Sequence, residues 1–393
     1  MTPPLSLYLH LPWCVRKCPY CDFNSHTAGH SADKRRYIAA LVNDMRLEAD
    51  RAGDRVVETV FFGGGTPSYF SAAEIETLVE AATASFNLAC DAEITMEANP
   101  GTVERDRLAD YRSAGINRLS LGAQSFNEDS LRRLGRIHGT NEILAAWCDA
   151  EKAGFDSINL DLMYALPGQS LDMAMFDLQR AIMLSPRHIS WYQLTLEPNT
   201  VFHARPPVDL PDEELTWEIE QGGHELLEAA GFEHYETSAF ARQGFACRHN
   251  LNYWLFGDYL AVGAGAHGKY TDDGGNVWRY RKPAHPASYM KASETGQLQV
   301  RMQLLARADL LFEFMLNGLR LKRGFTAGDF ETRTGLPFSV AEPGVARAMS
   351  LGLMIVKGSS AGVFIPTNRG HRFLNDLQAL FLPDAGLYSQ SRG

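Results

Sequence analysis

Three cysteines fall within eight residues near the start of the chain, in Trp13-Cys14-Val15-Arg16-Lys17-Cys18-Pro19-Tyr20-Cys21. Their spacing is C-x3-C-x2-C, and they follow directly on the apolar run Leu5 to Leu11. Three thiolates on one short loop can grip three corners of an iron–sulfur cubane. Such clusters normally take four cysteines, so three ligands leave one iron open to an outside ligand. Zinc is the competing metal, but a structural zinc site wants four ligands in paired spacing. The second pair is missing here, with His26 the one candidate to complete the set. Cys90, Cys148 and Cys247 are isolated in sequence. In a reducing compartment such a cluster of thiols is metal-binding rather than disulfide-forming.

Further polar residues stand where apolar runs stop. Gly63-Gly64-Gly65-Thr66-Pro67 follows one such run, and glycines there permit close backbone approach to a ligand. No Gly-Lys-Ser/Thr follows, which excludes a phosphate-binding Walker loop. Glu97 in Thr95-Met96-Glu97-Ala98-Asn99-Pro100, Gln124 in Gly122-Ala123-Gln124-Ser125-Phe126 and Asp161 in Asn159-Leu160-Asp161-Leu162 occupy equivalent places. Carboxylate and amide groups accept hydrogen bonds from hydroxyls and ammonium groups. Arg136 could hold a carboxylate in its guanidinium fork. Each of these residues could instead serve only as a cap or ladder-end hydrogen bond.

The elements that must position these groups alternate. Short apolar runs at Leu5 to Leu11, Val57 to Phe62, Glu93 to Glu97, Arg118 to Ala123, Ser157 to Leu162 and His188 to Leu196 predict six strands. Between them Lys34 to Ala52, Ala72 to Ser85, Arg105 to Ala114, Asn141 to Ala153 and Leu171 to Leu184 predict helices, several ending near glycines such as Gly53, Gly115 and Gly154. Repeated βα units give a parallel sheet, open or partly closed into a barrel, with chemistry at the strand ends. Gly63, Glu97, Gln124 and Asp161 should then share one rim. The alternation fades after about residue 200 into Pro206-Pro207, an acidic helix near Asp212 to Ala230 and an aromatic stretch from Tyr235 to Phe256. A smaller, winged-helix-like unit is expected from 305 to 393, with a connecting segment over 241 to 304.

The 393 residues can bury a substantial core, and 45% hydrophobic against 21% charged residues is an ordinary globular balance. Asp plus Glu number 47 against 37 Lys plus Arg, a net charge of −10, which disfavours nucleic-acid binding. The amino terminus lacks the basic segment and long apolar run of a secretory signal, and no stretch is long enough to span a bilayer. A cytoplasmic protein without stable membrane insertion is expected.

With these residues in place, Cys14, Cys18 and Cys21 after the first strand resemble the signature of the radical S-adenosylmethionine (radical SAM) superfamily. The resemblance implies a partial (β/α)6 barrel with a smaller, mainly helical carboxy-terminal domain. It implies a [4Fe–4S] cluster whose open iron is chelated by the methionine part of S-adenosylmethionine, so that reduction of the cluster can yield a 5′-deoxyadenosyl radical. Gly64, Gly65 and Thr66 match the segment that pairs with the methionine amino group. Glu97, Gln124, Arg136 and Asp161 match pocket-lining positions, as do Tyr8, six residues before Cys14, and Tyr20, placed against the adenine.

Within the superfamily, Tyr8-Leu9-His10-Leu11-Pro12-Trp13-Cys14, Asn159 to Gly168 and Trp191-Tyr192-Gln193-Leu194-Thr195 resemble the oxygen-independent coproporphyrinogen III oxidase group over essentially the whole chain. The oxidases carry a fourth cysteine two residues after the third and a longer amino-terminal extension. Position 23 is Phe here, and only 13 residues precede Cys14. Both features resemble a heme-carrying branch instead, as does His249-Asn250-Leu251-Asn252-Tyr253-Trp254. A neutral imidazole is a natural axial ligand of heme iron. The resemblance therefore implies heme on His249, with Cys247 and His267 as neighbouring alternatives. It further implies an electron donor to the cluster and transfer of heme to apo-hemoproteins, respiratory-chain proteins of the membrane among them. The rival expectation is oxidative decarboxylation of coproporphyrinogen III propionates.

Overall fold

The computed structural model describes residues 2–28, 33–101, 107–298, 301–358 and 362–383. Six strands, β1 (Leu5–Leu11), β2 (Val56–Gly64), β3 (Asn87–Ala98), β4 (Arg118–Gln124), β5 (Ser157–Tyr164) and β6 (His188–Gln193), lie parallel and adjacent in chain order. β1, β4 and β5 are buried along almost their whole length, as strands covered on both faces must be. The crossovers include α1 (Lys34–Ala52), α2 (Ala72–Ser85), α3 (Leu108–Ser113), α4 (Thr140–Ala153) and α5 (Leu171–Met183). Residue 105, the predicted start of the third helix, lies outside the described residues.

Local chemistry sets these boundaries. Ser71 accepts from the Glu74 backbone while the Glu74 carboxylate returns to the Ser71 N–H, a reciprocal cap that starts α2. Gly154 ends α4 in the left-handed conformation, φ 74°, which costs a glycine no Cβ clash.

The sheet does not close on itself. Beyond β1 it continues through β9 (Asp258–Val262), parallel, and then antiparallel through β10 (His267–Thr271), β11 (Val277–Arg281) and β12 (Arg301–Leu304). Beyond β6 it continues through β8 (Ala239–Ala241) and β7 (Glu233–Glu236). The stretch expected to be a connecting segment thus supplies four strands to one flank of the barrel sheet. Periodicity missed them because strands of five residues or fewer carry little pattern.

From α8 (Arg307–Gly318) onward the chain builds a second apolar cluster around Phe314, Phe330 and Phe325 with short helices and a three-stranded antiparallel sheet. Phe256 and Val277 belong to that cluster and stitch it to the barrel flank. Lys282 is buried between Asp44 and Glu48 of α1, with its ammonium 2.6 Å from Asp44. Tyr289 and Tyr280 donate to the same two carboxylates, so the charges are paired and hydrogen-bonded as burial requires. No helix among the described residues is long and apolar enough to cross a membrane.

Candidate functional site

The cysteine loop leaves β1 and is held against the end of β2. The N–H groups of Gly65 and Thr66 donate to the carbonyls of Leu11 and Trp13 at 2.8 and 2.9 Å. A Cβ on Gly65 would lie 2.8 Å from the Pro12 carbonyl carbon, and one on Gly64, at φ 116°, would meet the His10 ring at 2.5 Å. The triple glycine therefore lets the loop carrying the thiols sit directly on the neighbouring strand.

Cys14, Cys18 and Cys21 carry free thiols and line one cavity of about 540 Å³. Burial raises the Cys14 and Cys21 thiols above their ordinary value, and neighbouring thiols push the same way. Among the described residues no three His, Cys, Asp or Glu side chains converge tightly enough for a single metal ion. Three soft donors spread around one cavity wall suit a larger cluster better than mononuclear zinc.

The same cavity collects Tyr20, Gly65, Thr66, Glu97, Gln124, Arg136 and Asp161. Arg136 donates to Cys18 Sγ at 3.5 Å and to the Gly122 carbonyl at 3.0 Å, and also reaches Asn99. Asn99 in turn donates to Thr66 Oγ1 at 3.0 Å, tying the glycine loop, the end of β3 and the cysteine loop together. Gln124 adopts φ 70°, in the left-handed region that a side chain rarely takes, at a register shift between β4 and β5. Its Oε1 accepts from Tyr192 at 2.9 Å.

Asp161 accepts from Ser120 at 2.9 Å and from Asn159 at 2.8 Å. Burial raises its pKa, and these hydrogen bonds oppose the rise. Glu97 accepts from the Gly64 N–H at 3.2 Å. Burial, with the Asp161 carboxylate facing it, pushes Glu97 up to about 8. Asn99, Ser120 and Tyr192 line the same cavity and become site residues only through the packing of the strand ends.

Tyr8 and Gly64 line a second, adjoining cavity of about 510 Å³ rather than the one holding the cysteines. The Tyr8 hydroxyl pairs with His10 Nδ1 at 3.1 Å. Phe23, Glu97 and Trp254 line both cavities and form their shared wall. His249, on α7 (Arg248–Trp254), lines neither and is 1% exposed. Its Nδ1 lies 2.7 Å from Thr59 Oγ1 and its Nε2 2.8 Å from the Tyr253 hydroxyl. Burial lowers its pKa to about 3, so the ring is neutral, but both nitrogens are already engaged. Tyr253 does line the second cavity, leaving His249 one side chain behind its wall. Cys247 is fully buried against Glu93, whereas His267 is exposed on the rim of the second cavity.

Residues 8–179 match the family described as the radical SAM superfamily, and 305–360 match the HemN C-terminal domain. A protein named heme chaperone HemW, from Escherichia coli strain K12, is 48% identical over 97% of this chain and 99% of its own length. The chain belongs to the HemW family of radical SAM proteins. A HemW from Haemophilus influenzae is 47% identical over the same shares. Among solved structures, the radical SAM enzyme coproporphyrinogen III oxidase (HemN) of Escherichia coli superposes with a TM-score of 0.81 at 26% identity, covering 97% of this chain and 90% of that one. The fold of this HemW relative is accordingly that of HemN: an open barrel sheet with a small helical carboxy-terminal domain.

Proposed function

We propose that this chain is a heme chaperone that binds heme and passes it to apo-hemoproteins, including respiratory-chain proteins of the membrane. The observation that carries the reading is the 48% identity to a heme chaperone over nearly the full length. Phe23 supports it: where the oxidases place a fourth cysteine, this chain has an aromatic ring, 58% exposed, on the wall between the two cavities.

Cys14, Cys18 and Cys21 would hold a [4Fe–4S] cluster, and Tyr20, Gly65, Thr66, Glu97, Gln124, Arg136 and Asp161 would surround S-adenosylmethionine, with Gly64 and Tyr8 behind them. Together the two groups supply, when bound and reduced by an electron donor, the capacity for one-electron chemistry. The protein's own contribution is placement: Arg136 sets a fixed positive charge beside Cys18, and Glu97 and Asp161 offer two carboxylates to a cationic ligand. His249 is the heme ligand that the His249-to-Trp254 motif singles out. For its Nε2 to meet iron, Tyr253 must first swing away.

The test is anaerobic reconstitution followed by two assays, heme titration by absorption and conversion of coproporphyrinogen III with reductant and S-adenosylmethionine. Saturable heme binding without porphyrin product supports the carrier. Protoporphyrinogen formation would establish the oxidase instead. His249→Ala should keep the cluster while losing stably retained heme, and stoichiometric heme surviving gel filtration would remove His249 from the site.

A further inference from the structure

The second cavity presents one face of the β10–β11 hairpin to its interior. His267, Lys269 and Arg279 all line it. In an antiparallel ladder, residues directly opposite one another project to the same face, as do residues two apart along a strand. His267 lies opposite Arg281 in β11, and Arg281 lies opposite Arg301 in β12. One row of the sheet, running outward across the strands from His267 on the cavity lining, therefore reads imidazole, guanidinium, guanidinium.

The charges in the inner row are spoken for. Lys269 is 2.9 Å from Asp258, and Arg279 donates to Glu313 at 2.8 Å. The outer row differs. His267, Arg281 and Arg301 are exposed, and none has an ion pair or hydrogen-bonded side chain among the described residues. Two like charges directly opposite on a ladder repel each other, and an anion between them would relieve that repulsion. In a chain of net charge −10 such an uncompensated pair stands out. The cavity behind it is of ligand size, within the roughly 300–1,000 Å³ of small-molecule sites, and Tyr8, Phe23, Tyr253, Trp254, Phe256 and Tyr259 give it aromatic walls.

A flat aromatic macrocycle, an open iron and paired carboxylates are the complement of aromatic walls, a free imidazole and paired guanidiniums. We propose that heme is first received here, with His267 as axial ligand and Arg281 and Arg301 on its propionates, before His249 becomes accessible. This rests on the heme-carrier reading above. Burial and the facing Arg281 and Arg279 lower the His267 pKa, so its imidazole is neutral and fit to ligate iron at pH 7. Tyr253 is common ground: it lines this cavity and caps His249 Nε2, so a ring docked here lies against the group whose movement would free His249.

The experiment titrates the full-length, cluster-reconstituted protein with ferric heme and with its dimethyl ester, which lacks the anionic carboxylates. The wild type should bind heme roughly tenfold more tightly than the ester, the effect of two exposed ion pairs acting together. Arg281→Ala with Arg301→Ala should erase that difference and leave ester binding unchanged. His267→Ala, made in a His249→Ala background so that no second imidazole takes the iron, should abolish the imidazole-ligated spectrum of the docked heme, with added imidazole restoring ligation. All three residues are exposed, and an unchanged cluster spectrum verifies that the variants fold. If the wild type binds heme but none of these substitutions alters affinity, ester preference or spectrum, the receiving site is overturned while the carrier reading stands. If the wild type binds neither porphyrin saturably, both fall.

Discussion

Glu97 provides a direct test of the cofactor pocket. Buried opposite Asp161 and held by one backbone N–H, its carboxyl is pushed up to about 8, so at neutral pH the ligand-free protein keeps it mostly protonated. A ligand carrying a sulfonium favours the ionised form, and binding must then expel the proton. Because the bound state binds fewer protons, affinity rises with pH until the free-state pKa is passed. The dissociation constant should fall by about tenfold per pH unit between roughly 6 and 7, which is one proton's worth of linkage, and level off above about 8. The cofactor's own amino group titrates near 8 as well and adds to the slope. The informative quantity is therefore the difference between the wild type and Glu97→Gln, which cannot titrate. Calorimetry of S-adenosylmethionine binding to the reconstituted protein, in two buffers of different ionisation enthalpy, counts the protons released. The wild type should release close to one more proton at pH 6.5 than Glu97→Gln. Equal release in the two proteins would refute the placement of Glu97 beside the cofactor's positive charge.

Replacing any one of Cys14, Cys18 or Cys21 by Ala should abolish the cluster absorption after reconstitution, whereas Cys148→Ala, on an exposed helix position, should leave it intact. Lys282→Met leaves the buried Asp44 carboxylate without its cation, while Glu48 keeps Arg51, and should lower unfolding free energy by about 3 kcal/mol, read by denaturant titration. The loss should be smaller at acidic pH, where Asp44, whose pKa burial already raises, takes up a proton. Gly223→Ala would set a methyl 1.8 Å from the Trp191 ring and should cost about 1–3 kcal/mol as a drop in melting temperature, unless α6 (Glu213–Ala229) shifts.

Most of the barrel could be read from the chain because its signals are local. α1 and α2 run over the predicted residues, since an amphipathic stretch bounded by Asp33 or Ser71 and a following Gly53 or Phe86 is self-contained. The cysteine cavity was legible for the same reason, because in a parallel sheet whose strands follow chain order every strand end lands on one rim. Of the four strand-end residues expected on that rim, Glu97, Gln124 and Asp161 line the cavity and Gly63 does not. What could not be read was pairing across distance. β9 to β12 are four or five residues long, and nothing within them announces that Leu5 will pair with Asp258. Arg281 and Arg301 are twenty residues apart, and only the ladder sets them side by side.

His249 illustrates the boundary between motif and geometry. The sequence around it marks a heme ligand by resemblance, yet an imidazole with Thr59 on one nitrogen and Tyr253 on the other cannot ligate iron without rearrangement. A carrier has reason to be built this way. On the carrier reading, the tyrosine that pairs with His249 and lines a ligand-sized cavity would make heme ligation conditional on what occupies that cavity. The hydrogen bond lost from Tyr253 is worth about 1 kcal/mol, small against an iron–imidazole bond. The shared wall of Phe23, Glu97 and Trp254 places the same event next to the cofactor pocket. A ligand in either cavity would thus rest against the same three side chains.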